Sequence, residues 1–295
     1  MNNLVLGFAT NQSATDLRIF VNSLRRVYSP AECDCVLIVD EPPAGLATTG
    51  PKAVRIVKTV NTYSSRATLQ RKARSAMIRA LSKAAAGGAP LAGTALRGAM
   101  ERWHHPCFAR WLAYRRFLVH NPAYGQVLLT DVRDVMFQEP FFSKAANRVQ
   151  FFDQSAVYGV DRCDTDWYRE AFGAEGLARV IGRPALCAGT VLGPRDAIIA
   201  FIDEFVDWFA QAPFRGVDQA NLNGLLLEGA PGFAYQVNAN AEGAVATLAN
   251  SAALATVQIA NGKIVNSSGA IVPIVHMYDR HDVTKIAAQA FADAD

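Results

Sequence analysis

Two carboxylates, Asp131 and Asp134, are separated by two residues and follow the apolar run Val127-Leu128-Leu129 almost directly. A second apolar run, Val135-Met136-Phe137, begins immediately after them. A charge set between two buried stretches needs a partner or a cation, because unpaired burial is costly. Hard divalent ions take oxygen ligands, and a strand end lets two such side chains converge on one ion. A plainer alternative makes Asp131 a cap and pairs Asp134 with Arg133 or a lysine at the surface. Upstream, Arg115 and Arg116 offer a guanidinium clamp for phosphate. Downstream, Asp218-Gln219 follow Gly216 and open a helical run through Leu222, Leu225 and Leu226. Asp218 there reads equally as a helix cap, which leaves the Gln219 amide free to bond hydroxyl groups.

These residues need a frame. Residues 4–9 form a short apolar run of buried-strand length, ending in the turn formers Thr10-Asn11-Gln12-Ser13. Leu17, Phe20, Val21, Leu24 and Val27 then recur at helical spacing. Strands are expected again at 36–39, closing on Asp40, and at 54–60. Strand, helix, strand opens a doubly wound sheet, whose ligands bind at the carboxyl ends of its strands. That places a ligand at Ala9, Thr10, Asn11 and Asp40. Helices are expected at 65–86, 108–119, 197–210 and 219–228, and strands at 126–130, 149–152 and 188–192. The cations of 65–86 read as a solvated face or as a patch toward an acceptor or membrane surface. Residues 87–93 read as a loop, and 161–168, with Trp167, as another. A hairpin over 262–273, turning at 266–269, leads into Val275-His276. No repeat interrupts the alternation, so one domain over 1–295 is expected.

The chain's 295 residues are 51% hydrophobic and 19% charged, enough for a large α/β core. A net charge of +3 makes no case for nucleic-acid binding, though a local basic pocket fits within it. Five cysteines without repeated C-x-x-C spacing argue against a disulfide framework and suit a reducing cytoplasm. The N-terminus lacks a basic signal region, and no apolar run is long enough for a transmembrane segment. His104 and His105 are adjacent and would not share one helix face, His120 reads as a helix-end residue, and His281 as a surface one.

In order, these pieces resemble the metal-dependent glycosyltransferases of the GT-A fold, with glycogenin-like enzymes nearest in motif order. That group carries Asp-x-Asp after an apolar strand; here the spacing is Asp131-x-x-Asp134. An arginine precedes it, as in Arg110-Trp-Leu-Ala-Tyr-Arg115-Arg116, and Cys187-Ala188-Gly189-Thr190 is similar to the group's Asn-Ala-Gly strand. Val217-Asp218-Gln219 resembles its acidic-Gln segment, and Val275-His276 its C-terminal histidine. The resemblance implies an α/β, Rossmann-like mixed and mostly parallel central sheet flanked by helices, forming one nucleotide-sugar-binding catalytic domain. It implies Mn²⁺ or Mg²⁺ on Asp131, Asp134 and His276, with Asp134 the direct ligand and Asp131 at the ribose or the metal's surroundings. Asp218 and Gln219 would face the donor sugar, and Asp161 or Asp164 would supply a base if the reaction inverts. The donor would be a nucleotide diphosphate sugar and the acceptor a glycan or lipid-linked alcohol. Peripheral membrane contact is compatible with that. Two other readings are a sugar nucleotidyltransferase, whose glycine-rich loop is missing at residues 9–12, and a non-catalytic carbohydrate-binding protein.

Overall fold

Strands β1 (Asn2–Phe8) and β2 (Cys33–Val39) carry apolar side chains on both faces, sorted by parity. Leu4, Leu6, Val36 and Ile38 enter one apolar cluster, while Val5, Cys35, Leu37 and Val39 enter another. A strand with no polar face has to lie inside a sheet covered on both sides, the setting in which parallel ladders form. The computed structural model, which describes residues 2–66, 68–144 and 146–292, has this arrangement.

Helix α1 (Ala14–Val27) links the two strands. It opens with a capping box, in which Ser13 accepts from the Asp16 N–H and Asp16 accepts from the Ser13 N–H. After β3 (Arg55–Lys58) come three helices, α2 (Thr68–Ala86), α3 (Ala92–Trp103) and α4 (Pro106–His120). The chain then returns to the centre of the sheet as β4 (Tyr124–Thr130), followed by β5 (Val135–Phe137) and β6 (Val149–Val157). Next in order are α5 (Arg162–Val180), β7 (Pro184–Leu186), β8 (Thr190–Pro194), α6 (Arg195–Ala210) and α7 (Asp218–Glu228). The last third comprises β9 (Tyr235–Asn238), β10 (Val245–Thr247), α8 (Ser251–Leu254), β11 (Val257–Ala260), β12 (Lys263–Asn266), β13 (Ile274–His276) and α9 (Asp282–Gln289).

The main sheet has the order β3-β2-β1-β4-β8-β6-β7, with β9 also on β6. Strands β3, β2, β1 and β4 are mutually parallel. Strand β8 runs against both β4 and β6, β7 runs against β6, and β9 runs with β6. The protein is thus α/β, with a central mixed sheet of eight strands flanked by helices. Apolar residues of α3, α4, α6 and α7 pack on one side. On the other lie α1 and a small sheet, β10-β13-β5. Among the described residues no helix is long and apolar enough to cross a membrane.

Three local expectations change. Residues 161–168 do not form a loop: Asp161 caps α5 by accepting from the Asp164 N–H. The loop at 87–93 ends at Leu91, and α3 starts at Ala92. The turn at 266–269 forms as expected, with Asn266 donating its N–H to the Ala270 carbonyl and Val272 to that of Ile264, yet the full ladder of β12 is with β11, upstream.

Candidate metal centre

Beyond Thr130 the chain turns across the end of β1 and re-enters as β5. Gly7 makes the crossing possible, since a Cβ there would stand 2.2 Å from Val132 Cγ1. The Asp131 N–H donates to the Gly189 carbonyl at 2.8 Å, which fixes the start of the turn. Strand β5 pairs antiparallel with β13 in a register that sets Val135 opposite His276. Asp134, one residue earlier, therefore arrives beside that histidine. His276 Nε2 lies 3.5 Å from Asp131 Oδ2 and 3.7 Å from Asp134 Oδ1. One donor atom from each of the three fits within a mutual 4.8 Å, the one such cluster of His, Cys and carboxylate groups among the described residues.

The histidine side chain is fully buried, and its Nε2 has no hydrogen-bond partner. Its Nδ1 faces the Cys187 Sγ at 3.4 Å. A buried ring nitrogen left open between two carboxylates is expensive unless something occupies the space. The space is kept clear: a Cβ on Gly189 would come within 2.4 Å of His276 Cε1 and 2.6 Å of Asp131 Oδ2. Two donors sharing an ion at about 2.0–2.2 Å stand at most about 4.4 Å apart, so both carboxylate–imidazole separations qualify. The residues fit a divalent cation that accepts oxygen and imidazole together.

Electrostatics follow from the same packing. Burial alone would raise the Asp131 carboxyl, but the Arg110 charge and then His276 outweigh it, holding it down at about 2. Asp134 moves the other way, raised mainly by burial and further by the Asp131 charge. Burial would lower His276, yet the Cys187 sulfur and the two carboxylates carry it well above the usual histidine value. Without a cation, a proton on the imidazole offsets part of the negative charge.

Arg110, from the first turns of α4, ties the centre to α7. Its Nη1 donates to Asp131 Oδ1 at 2.5 Å, and its Nη2 to Asp218 Oδ2 at 2.7 Å and to the Ala188 carbonyl at 3.2 Å. Trp111 Nε1 donates to the same Asp218 oxygen at 3.0 Å. The expected arginines lie elsewhere: Arg115 pairs with Asp203 of α6, and Arg116 with Glu101 of α3. Arg110 is the one brought to the carboxylates. Asp218 is the first residue of α7, with Val217 in the cap position. Gln219 accepts from the Ala188 N–H and donates to Asp164 Oδ1 at 2.7 Å and Gln154 Oε1 at 3.3 Å. Burial raises the Asp164 carboxyl to about 6, although the Gln219 bond pulls against it. Asp161 is turned to its capping role and to Asn250.

A cavity of about 600 Å³ opens at the carboxyl ends of β1 and β2, lined by Thr10, Asn11, Asp40, Tyr63, Arg66 and His105 among others. Three of the four residues expected at a nucleotide are in its wall. Ala9 is not: it is buried in the core beneath. Asn11, at φ 56°, donates its N–H to the Asp40 carboxylate, closing one corner. The rings of Tyr63 and His105 meet edge to face at 5.1 Å. Strand β4 is the neighbour of β1, so the loop bearing Asp131 leaves the same edge of the sheet. Sequence reading missed Tyr63, Arg66 and His105, which lie in irregular chain or at a helix start where periodicity carries no signal. No protein-family model matches the chain, and no curated protein matches its sequence.

Proposed function

We propose that the protein is a metal-dependent glycosyltransferase of the GT-A type, moving a sugar from a nucleotide diphosphate to a hydroxyl of a glycan or lipid-linked acceptor. The observation that carries this reading is the buried, unpartnered His276 Nε2 between Asp131 and Asp134, with a cavity of about 600 Å³ opening at the same carboxyl edge of the sheet. Asp134 and His276 would hold Mn²⁺ or Mg²⁺, with Asp131, which Arg110 grips, beside them. An imidazole in the set favours Mn²⁺. When bound, the ion offsets the negative charge that gathers on a departing diphosphate.

The chain's own groups do the positioning. Arg110, held by two carboxylates, fixes the rotamer of Asp131 and leaves that side chain 35% exposed toward ligand. Tyr63 and His105 offer ring faces to a base, and Asp40 and Asn11 offer polar atoms to a ribose. Gln219 holds the backbone of Ala188 next to Gly189, so α7 sets the segment between β7 and β8 that would flank the donor sugar.

The test is release of nucleoside diphosphate from a panel of nucleotide sugars, with Mn²⁺ and after chelation. Metal-dependent release that Asp134→Asn abolishes is the expected result. Pyrophosphate formed from a nucleoside triphosphate and a sugar phosphate would instead indicate a nucleotidyltransferase. Binding without turnover across the panel would leave only a carbohydrate-binding role.

A further inference from the structure

Between positions 42 and 100 the chain holds ten Lys and Arg and no Asp or Glu, whereas the remainder holds 19 basic against 26 acidic side chains. Helix α2 is the centre of that segment. It is long but poorly covered, with Ile78 and Ser82 its only buried residues. Its outward side has a defined pattern. Leu69, Ala73, Ala76 and Ala80, at i, i+4, i+7 and i+11, form an exposed apolar stripe, with Met77 on one flank. Lys72, Arg79 and Lys83 form an exposed basic stripe on the other flank, and none has a carboxylate partner among the described residues. Leu69 is 81% exposed, and Leu91, past the far end of the helix, 82%. Beside the basic stripe lies a pocket of about 460 Å³ whose lining includes Arg79, Lys83 and Arg215 and no acidic group. Arg79 lies over the Phe214 ring in that wall.

We propose that α2 docks the protein on the surface of an anionic lipid bilayer. Charge complementarity selects the partner's sign, since basic side chains near a surface draw it to acidic headgroups. The apolar stripe selects its kind: Leu69, Met77 and Leu91 have a use at the boundary of headgroups and acyl chains, and none along a nucleic-acid backbone. Being mostly alanine, the stripe reaches only shallowly, so attachment depends on charge. The pocket at Arg79, Lys83 and Arg215 suits a headgroup phosphate. The loop leading into α2 contributes Ser64, Ser65 and Arg66 to the cavity at Asp40, so the docked helix sets that cavity near the membrane.

Co-sedimentation of the full chain with phosphatidylcholine vesicles, with and without phosphatidylglycerol, reads the proposal directly and needs no turnover. Binding is expected only to the anionic vesicles and to fall steeply with salt. The exposed triple substitution Lys72→Gln, Arg79→Gln, Lys83→Gln should weaken it on the order of a hundredfold. Leu69→Ser with Met77→Ser should weaken it less, and circular dichroism should show both variants folded. Equal binding to neutral vesicles, insensitivity to salt, or an unchanged triple variant would each overturn the proposal. So would capture by duplex DNA with no vesicle binding.

Discussion

At Gly189 the volume that a methyl group would fill is the volume between His276 and Asp131. Gly189→Ala is therefore expected to lower Mn²⁺ affinity by roughly ten- to a hundredfold, the scale on which metal sites respond to disturbed surroundings. Titration calorimetry would detect it, and unchanged affinity would mean that no ion uses this gap. Proton competition gives a second expectation. His276 is held protonated well above the usual histidine value, and a cation needs the bare lone pair, so each ion bound displaces a proton. Affinity should rise with pH by up to tenfold per unit, until the raised histidine value is passed. That same raised value contributes stability fully present below about 6.5 and lost as pH climbs through it. The thermal shift produced by Mn²⁺ should accordingly be larger at pH 8 than at pH 6, and a flat or inverted trend would exclude His276 as ligand. The carboxylates were legible in the sequence because burial on both sides of a charge is a strong local signal. The histidine was legible only through the order of motifs. Nothing local marked the Nε2 as open, since that depends on the register of β5 on β13.

Arg110 shows what an element decides that a residue does not. Helix α4 leads back to the start of β4 and so runs against that strand, which puts the helix's first turns beside the strand's carboxyl end. Arg115 and Arg116 are closer to Asp131 in sequence, yet they sit about 7.5 Å or more further along the axis at 1.5 Å per residue. Sequence distance pointed to the wrong arginines; the direction of the helix picks Arg110. Asp218 accepts from both Arg110 and Trp111, and hydrogen bonds involving charged groups are worth about 1.5–3 kcal/mol. Asp218→Asn should cost about 2 kcal/mol in urea unfolding and loosen Arg110 from its hold on Asp131. If stability is unchanged while turnover collapses, Asp218 acts on substrate instead. Helix α3 was missed because Gly93 and Gly98 depress its propensity, while Leu96, Ala99 and Met100 secure it by packing on the core. Helix α5 was missed altogether, because a capping Asp161 reads equally as a turn former.

Across the whole molecule, the sheet's carboxyl edge gathers residues from well-separated stretches of chain, among them the loop after β1, Asp40 after β2, the 61–66 loop, the turn after β4, and the end of β13. The crevice rule pointed to the first two, the apolar runs to the carboxylate turn and the motif order to the histidine; the 61–66 loop required the folded path. A nucleoside diphosphate with Mn²⁺ is expected to slow amide exchange together in residues 10–12, 61–66 and 131–134, leaving α9 unaffected. Protection confined to one of these would mean that cavity and metal centre serve different ligands. The centre also has a birth order. Strand β13 is inserted between β5 and β10, and its last residue follows Asp134 by 142 positions. At about 5–20 residues per second of synthesis, a nascent chain carries both carboxylates for roughly 7 to 28 s before His276 exists. Over that interval β5 has no β13 to pair with, and an ion arriving early meets only oxygen ligands. A cation set that includes the imidazole can form only after β13 has been made, and a chain cut short before residue 276 lacks it.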